Sequence, residues 1–168
     1  MKYIIAVMLA LSMLLSSCHK ENEPMGETLL PVEQSYLPAT TVFRTDDKEW
    51  VDKIKDYAGK EFIVNSKAEM EQDPFGFSNA YNGIDFDSYT LLLAYQIHDY
   101  AIDTYVNRYY FDNVERSYNW MIRVGTGSKP GESSDECYFT RYSILVKKIP
   151  ADAEVKIQYV VGALNWDW

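Results

Sequence analysis

From Tyr118 to Val124 the chain alternates, with Tyr118, Trp120, Ile122 and Val124 falling on one side and Asn119, Met121 and Arg123 on the other. A period of two marks a β-strand with one buried face, because successive side chains of an extended backbone point to opposite sides. Such a strand needs neighbours for its N–H and C=O groups and a second layer over its apolar side. The same rhythm returns near the end of the chain, where Val155, Ile157, Tyr159 and Val161 face one way. The run from Tyr89 to Ile97 is almost continuously apolar and reads as a central, buried strand. Ala101 to Phe111 and Tyr138 to Lys148 supply further strands, and fourteen tyrosines in 168 residues suit half-buried sheet surfaces whose rings pack while their hydroxyls reach water.

Ahead of these strands the pattern is helical. Asp46 with Glu49 forms a capping signal, and Trp50, Val51, Ile54 and Tyr57 share one helix face that Gly59 ends. Phe62-Ile63-Val64 reads as a strand, and Ser66 with Glu69 starts a second short helix stopped at Asp73-Pro74. Phe75 to Gly83 and Gly125 to Glu136 read as loops, and Pro150 to Ala153 as a turn. The expected fold is α+β: one antiparallel β-sheet meander of five to six strands with two short N-terminal helices, forming a single domain over residues 41–168.

The first seventeen residues have a different character. Lys2 is followed by a thirteen-residue apolar run from Tyr3 to Leu15, too short to span a bilayer comfortably and suited to a signal-peptide core. Leu15-Ser16-Ser17-Cys18 then matches a lipobox, and this resembles the processing site of exported bacterial lipoproteins. The expectation is cleavage before Cys18 and acylation of that cysteine with chains such as palmitate. Three acyl chains bury on the order of forty methylenes at ~0.8 kcal/mol each, which makes such anchoring permanent in practice. The acidic stretch His19-Lys20-Glu21-Asn22-Glu23 looks like a signal for the outer membrane and the cell surface. Residues 18–40 carry three prolines, several glutamates and few large apolar side chains, and read as a flexible tether with a span of roughly 25 Å.

Charge narrows the partners. The formal net charge is −9 and becomes −10 once the signal segment, with one lysine and no acid, is removed. Phosphate backbones would repel such a chain, and no basic stripe offsets this, so nucleic acid is not an expected partner. Cys137 has no partner once Cys18 carries lipid, and reads as a small apolar residue. One histidine outside the tether, His98, cannot make a metal site by itself, and no calcium-loop spacing is present. Asp85 and Asp87 share one side of an extended segment, yet carboxylates at such positions ordinarily cap turns. Nucleophile-elbow, P-loop and dinucleotide-binding spacings are missing, so neither an enzyme nor a cofactor is expected.

Phe62-Ile63-Val64-Asn65-Ser66, a short helix with Glu69, then Ile84-Asp85-Phe86-Asp87 leading into Leu91-Leu92-Leu93-Ala94-Tyr95, resembles the protease-complex-subunit (PrcB-type) domain in its order. Tyr142-Ser143-Ile144-Leu145-Val146-Lys147-Lys148-Ile149-Pro150 and the strand through Val155 resemble that family's end. The resemblance spans Glu61 to Val161 and implies a lipoprotein accessory domain that docks with another exported protein, with no catalytic residues to carry over. The chain departs from the family in its long Phe75 to Gly83 loop and its glycine-poor Ile97 to Val106 segment.

The leading expectation is therefore a non-enzymatic, lipid-anchored docking or accessory module toward an exported protein, an exported protease included. The alternative is a carbohydrate-binding surface lipoprotein whose ligand stacks on Trp166, Trp168, Tyr100 and Tyr105, because tryptophans beside Asn165 and Asp167 combine apolar faces with hydroxyl partners.

Overall fold

The computed structural model describes residues 26–44, 46–72, 81–126 and 136–162. Its strands are β1 (Glu27–Leu29), β2 (Gln34–Arg44), β3 (Glu61–Val64), β4 (Tyr89–His98), β5 (Ile102–Asp112), β6 (Ser117–Thr126), β7 (Glu136–Lys147) and β8 (Glu154–Gly162), and its helices are α1 (Lys48–Lys55) and α2 (Lys67–Met70).

The apolar run of β4 explains the layering. Leu91 to Tyr95 are all buried, which a strand achieves only when both of its faces are covered. Leu91, Leu93 and Tyr95 pack with Ile54, Val64, Met70, Phe139 and Leu145, with Trp50, Val51 and Tyr57 alongside, so this face lies under the helices. Leu92 and Ala94 point the other way and meet Trp120, Ile122, Val124, Tyr142 and Ile144. The sheet ordered β2-β7-β4-β3 is thus the middle layer, between the helices and a second sheet ordered β1-β5-β6-β8. Burying side chains of this size is worth about 1.5–3 kcal/mol each, so two apolar seams carry the fold.

The α+β class and the two short helices stand, but the single meander is corrected. Among the described residues, eight strands form two four-stranded sheets, because β4 pairs with β7 rather than with the next strand β5, and the Asp99–Ala101 link carries the chain across to the other sheet. Alternation reveals which face of a strand is buried and is silent on its partner. The last strand departs as well: β8 lies beside β6 in parallel, Trp120 opposite Ile157 and Ile122 opposite Tyr159. An intervening strand in the other sheet, β7, brings the chain back in the same direction as β6.

The tether expected over residues 18–40 is also corrected, because residues 27–40 contribute to the sheets. β1 pairs antiparallel with β5 and β2 with β7, and Leu30 and Val32 between them pack against the inter-sheet core. An edge strand needs few large apolar residues, and Pro38 sits in the register shift between Tyr36 and Ala39, where a missing N–H costs least. The folded domain therefore starts by Glu27. Residues 18–25, and Cys18 among them, lie outside the described residues.

Local signals place the helices. Asp47, one residue later than the expected cap, accepts the Trp50 amide at 3.3 Å to start α1. Gly59 takes φ +74° after that helix and donates its amide to the Tyr95 carbonyl at 2.8 Å, a left-handed position that favours glycine. Ser66 Oγ accepts from Glu69 N at 3.2 Å and Glu69 Oε2 accepts from Asn65 N at 2.6 Å, closing the start of α2 from both sides.

Candidate functional site

Two places gather chemistry. The first lies at one end of the space between the sheets, where β4 ends in His98. Alternation along β4 turns His98 to the same side as Leu92 and Ala94, toward β8 of the opposite sheet. The Tyr142 hydroxyl lies 3.2 Å from His98 Nε2, and the Tyr159 hydroxyl lies 3.1 Å from Nδ1 and 3.3 Å from Nε2. Tyr100 packs against the imidazole with ring centroids 5.3 Å apart, and Tyr105 packs on Tyr142 at 6.2 Å. Burial holds His98 down to about 4, only partly opposed by Asp99, and pushes the phenols of Tyr142, Tyr159 and Tyr100 up. At neutral pH the cluster is uncharged. An imidazole this weakly basic is poorly matched to proton transfer near pH 7, so the cluster acts as a polar clasp between the sheets.

The second place is the outer edge of the middle sheet at β2. The starting half of β2 is gripped from β5: Tyr105 donates to the Tyr36 carbonyl at 3.1 Å, and Asn107 donates to Ser35 Oγ at 2.8 Å while accepting from Trp120 Nε1 at 3.0 Å. From Ala39 to Arg44 the strand keeps regular register with β7 on its inner side. Among the described residues no strand pairs with its outer side. Leu37 at the bulge is 84% exposed and Val42 is 54% exposed, and Ile63 on the opposite edge strand β3 is 42% exposed. Long edges with apolar side chains are templates for strand addition.

The expected site residues divide accordingly. Tyr100 and Tyr105 come together in the His98 cluster, both half-buried and engaged with neighbouring groups. Trp166, Trp168 and the lipidation residue Cys18 lie outside the described residues. Asp85 caps a turn, its Oδ1 accepting from Asp87 N at 3.1 Å and its Oδ2 from Ser88 Oγ at 2.7 Å, bonds that hold its carboxyl below the usual range. Cys137 is half-buried, and burial pushes its thiol up, away from the reactive thiolate. Among the described residues no group of three or more His, Cys, Asp or Glu side chains is placed to hold a metal ion, and no helix is long and apolar enough to cross a membrane. Sequence reasoning missed β2, although Thr40-Thr41-Val42-Phe43 is a β-branched and aromatic run of the kind strands prefer.

Comparison with protein-family models, with curated proteins and with solved structures finds no match to this chain.

Proposed function

We propose that the chain is an exported lipoprotein, acylated on Cys18 and held at the outer membrane on the cell surface, whose domain is a non-enzymatic docking or accessory module for another exported protein. The outer edge of β2 from Ala39 to Arg44, with Val42 exposed on it and Leu37 exposed at the bulge, is the observation that carries this reading. An extended segment of a partner can add there as a strand, with backbone hydrogen bonds supplying affinity and Val42 and Leu37 supplying apolar contact. Burial makes the His98 imidazole a weak base and pushes the Cys137 thiol up, so neither is tuned for proton transfer or nucleophilic attack near neutral pH, which favours binding over catalysis. The resemblance to the protease-complex-subunit domain favours an exported protease as the partner. With β1 starting at Glu27, the stretch after Cys18 reaches at most about 30 Å, so the domain works close to the lipid surface.

The test is crosslinking of the native protein in intact cells, followed by identification of what co-purifies. A stoichiometric exported protein is expected, and its recovery should drop when a charge is placed on the edge by Val42→Lys. Recovery unchanged in that variant, or no protein partner at all, would sink the reading. Cys18→Ala should leave the protein unprocessed or released from the membrane fraction, as mass spectrometry and fractionation would record.

A further inference from the structure

Among the described residues, the start of β2, the turns before β4, the first residue of β4 and the end of β7 leave an open groove of about 240 Å³ between them. Leu145 and Ile84 give it an apolar floor, Tyr36 and Tyr89 are its aromatic members, and Gln34, Asn82 and Asp85 supply polar groups. Its rim is shaped by the Tyr81–Ile84 turn, closed by Ile84 N donating to Tyr81 O at 3.3 Å. Gly83 sits in that turn at φ +91°, and a Cβ there would meet nothing within 4 Å, so the rim at Gly83 stands clear of neighbouring atoms.

The polar groups discriminate among ligand classes. Asp85 is fixed by the Asp87 amide and the Ser88 hydroxyl, one on each carboxylate oxygen, and each oxygen keeps acceptor capacity. Lys148, anchored to the Asn65 and Phe86 carbonyls at 3.1 and 2.7 Å, lies near enough to offset part of the Asp85 charge. An anion would face this carboxylate with no cationic side chain in the lining, and a cation would find its field already reduced. A neutral ligand rich in hydroxyls suits the set: the carboxylate accepts, the two amides donate and accept, and an aromatic face packs on C–H groups. The volume falls below the roughly 300–1,000 Å³ of drug-sized sites, which limits the occupant to about one ring.

We infer that this groove binds a single neutral hexopyranose ring, its hydroxyls on Asp85, Asn82 and Gln34 and its apolar face on Tyr36 or Tyr89. The inference is independent of the β2 docking edge and uses residues other than Trp166, Trp168, Tyr100 and Tyr105. It is tested on the full chain in detergent micelles by saturation-transfer NMR with the methyl glycosides of glucose, galactose, mannose and N-acetylglucosamine, beside tetramethylammonium and inorganic phosphate. At least one glycoside should receive saturation at millimolar concentration. Its dissociation constant should rise about tenfold or more in Gln34→Ala/Asn82→Ala, whose exposed side chains can be removed without touching the core. Asp85→Asn should weaken binding in the same direction. Saturation of none of the glycosides, unchanged affinity in the Gln34/Asn82 variant with its circular dichroism intact, or binding of tetramethylammonium or phosphate in their place would overturn the inference.

Discussion

His98 ties the stability of the domain to pH. Its folded-state pKa is lowered from 6.5 to about 4, chiefly because the imidazole is buried between the sheets. Between these values the unfolded chain takes up a proton that the folded protein refuses, so stability present above pH 6.5 is lost as the pH falls, and the loss is complete below the folded value. The full span of about 2.5 units corresponds to about 3 kcal/mol, of which about 2 kcal/mol is gone by about pH 5. His98→Gln keeps an amide beside the Tyr142 and Tyr159 hydroxyls but cannot titrate. Near pH 7.5 the variant should be less stable by about 1–2 kcal/mol, the worth of imperfectly replaced buried hydrogen bonds. Urea unfolding of both proteins at about pH 7.5 and about pH 5 separates the two effects, because every carboxylate is common to both and cancels in the difference. The gap between wild type and variant should shrink by about 2 kcal/mol on acidification, and can change sign. A gap that stays constant across this range would refute the assignment of a buried, uncharged imidazole.

Further expectations follow from single contacts. Trp120→Ala removes a fully buried indole that also donates to Asn107 at 3.0 Å, and should cost about 3–5 kcal/mol in urea unfolding. Gly59→Ala meets no steric neighbour but must hold φ +74°, so a loss of about 1 kcal/mol in the same assay would isolate backbone strain. Ser66→Ala deletes the cap on the Glu69 amide and should cost about 1 kcal/mol, with Ser66→Asp restoring most of it. Cys137, half-buried with its thiol pushed up, should react with a maleimide more slowly than a free cysteine near pH 7 and reach the free rate once urea unfolds the chain.

What the sequence could reveal follows the range of each signal. Local signals were legible: the alternation through Trp120 and Ile122, the two-faced burial of Leu91 to Tyr95, and the Ser66 and Glu69 cap all depend on residues a few positions apart. Partnership was not. Nothing within Tyr89–His98 says that its neighbour is β7, 52 residues downstream at the Leu92–Ile144 pair, instead of β5. Composition misled over residues 27–40, since Pro31, Pro38 and the glutamates describe a stretch unable to fold alone, whereas β1 and β2 are held by pairing with β5 and β7. The His98 cluster was invisible for the same reason: its histidine and Tyr142 meet through the pairing of β4 with β7, and Tyr159 joins them through the packing of two sheets. Of the two tyrosines expected as ligand platforms, Tyr100 packs beside that histidine and Tyr105 packs on Tyr142.

The placement of β1 and β2 in different sheets also governs how the domain answers a pull. Tension applied at the N-terminal side arrives first at β1, which holds β5 through three registered residues, Glu27, Thr28 and Leu29. Only after β1 has peeled away, and the short Leu30–Glu33 link is drawn taut, does the pull reach β2 and its nine registered pairs with β7. With three registered residues against nine, the short strand should yield at a lower force than β2, leaving the middle sheet assembled.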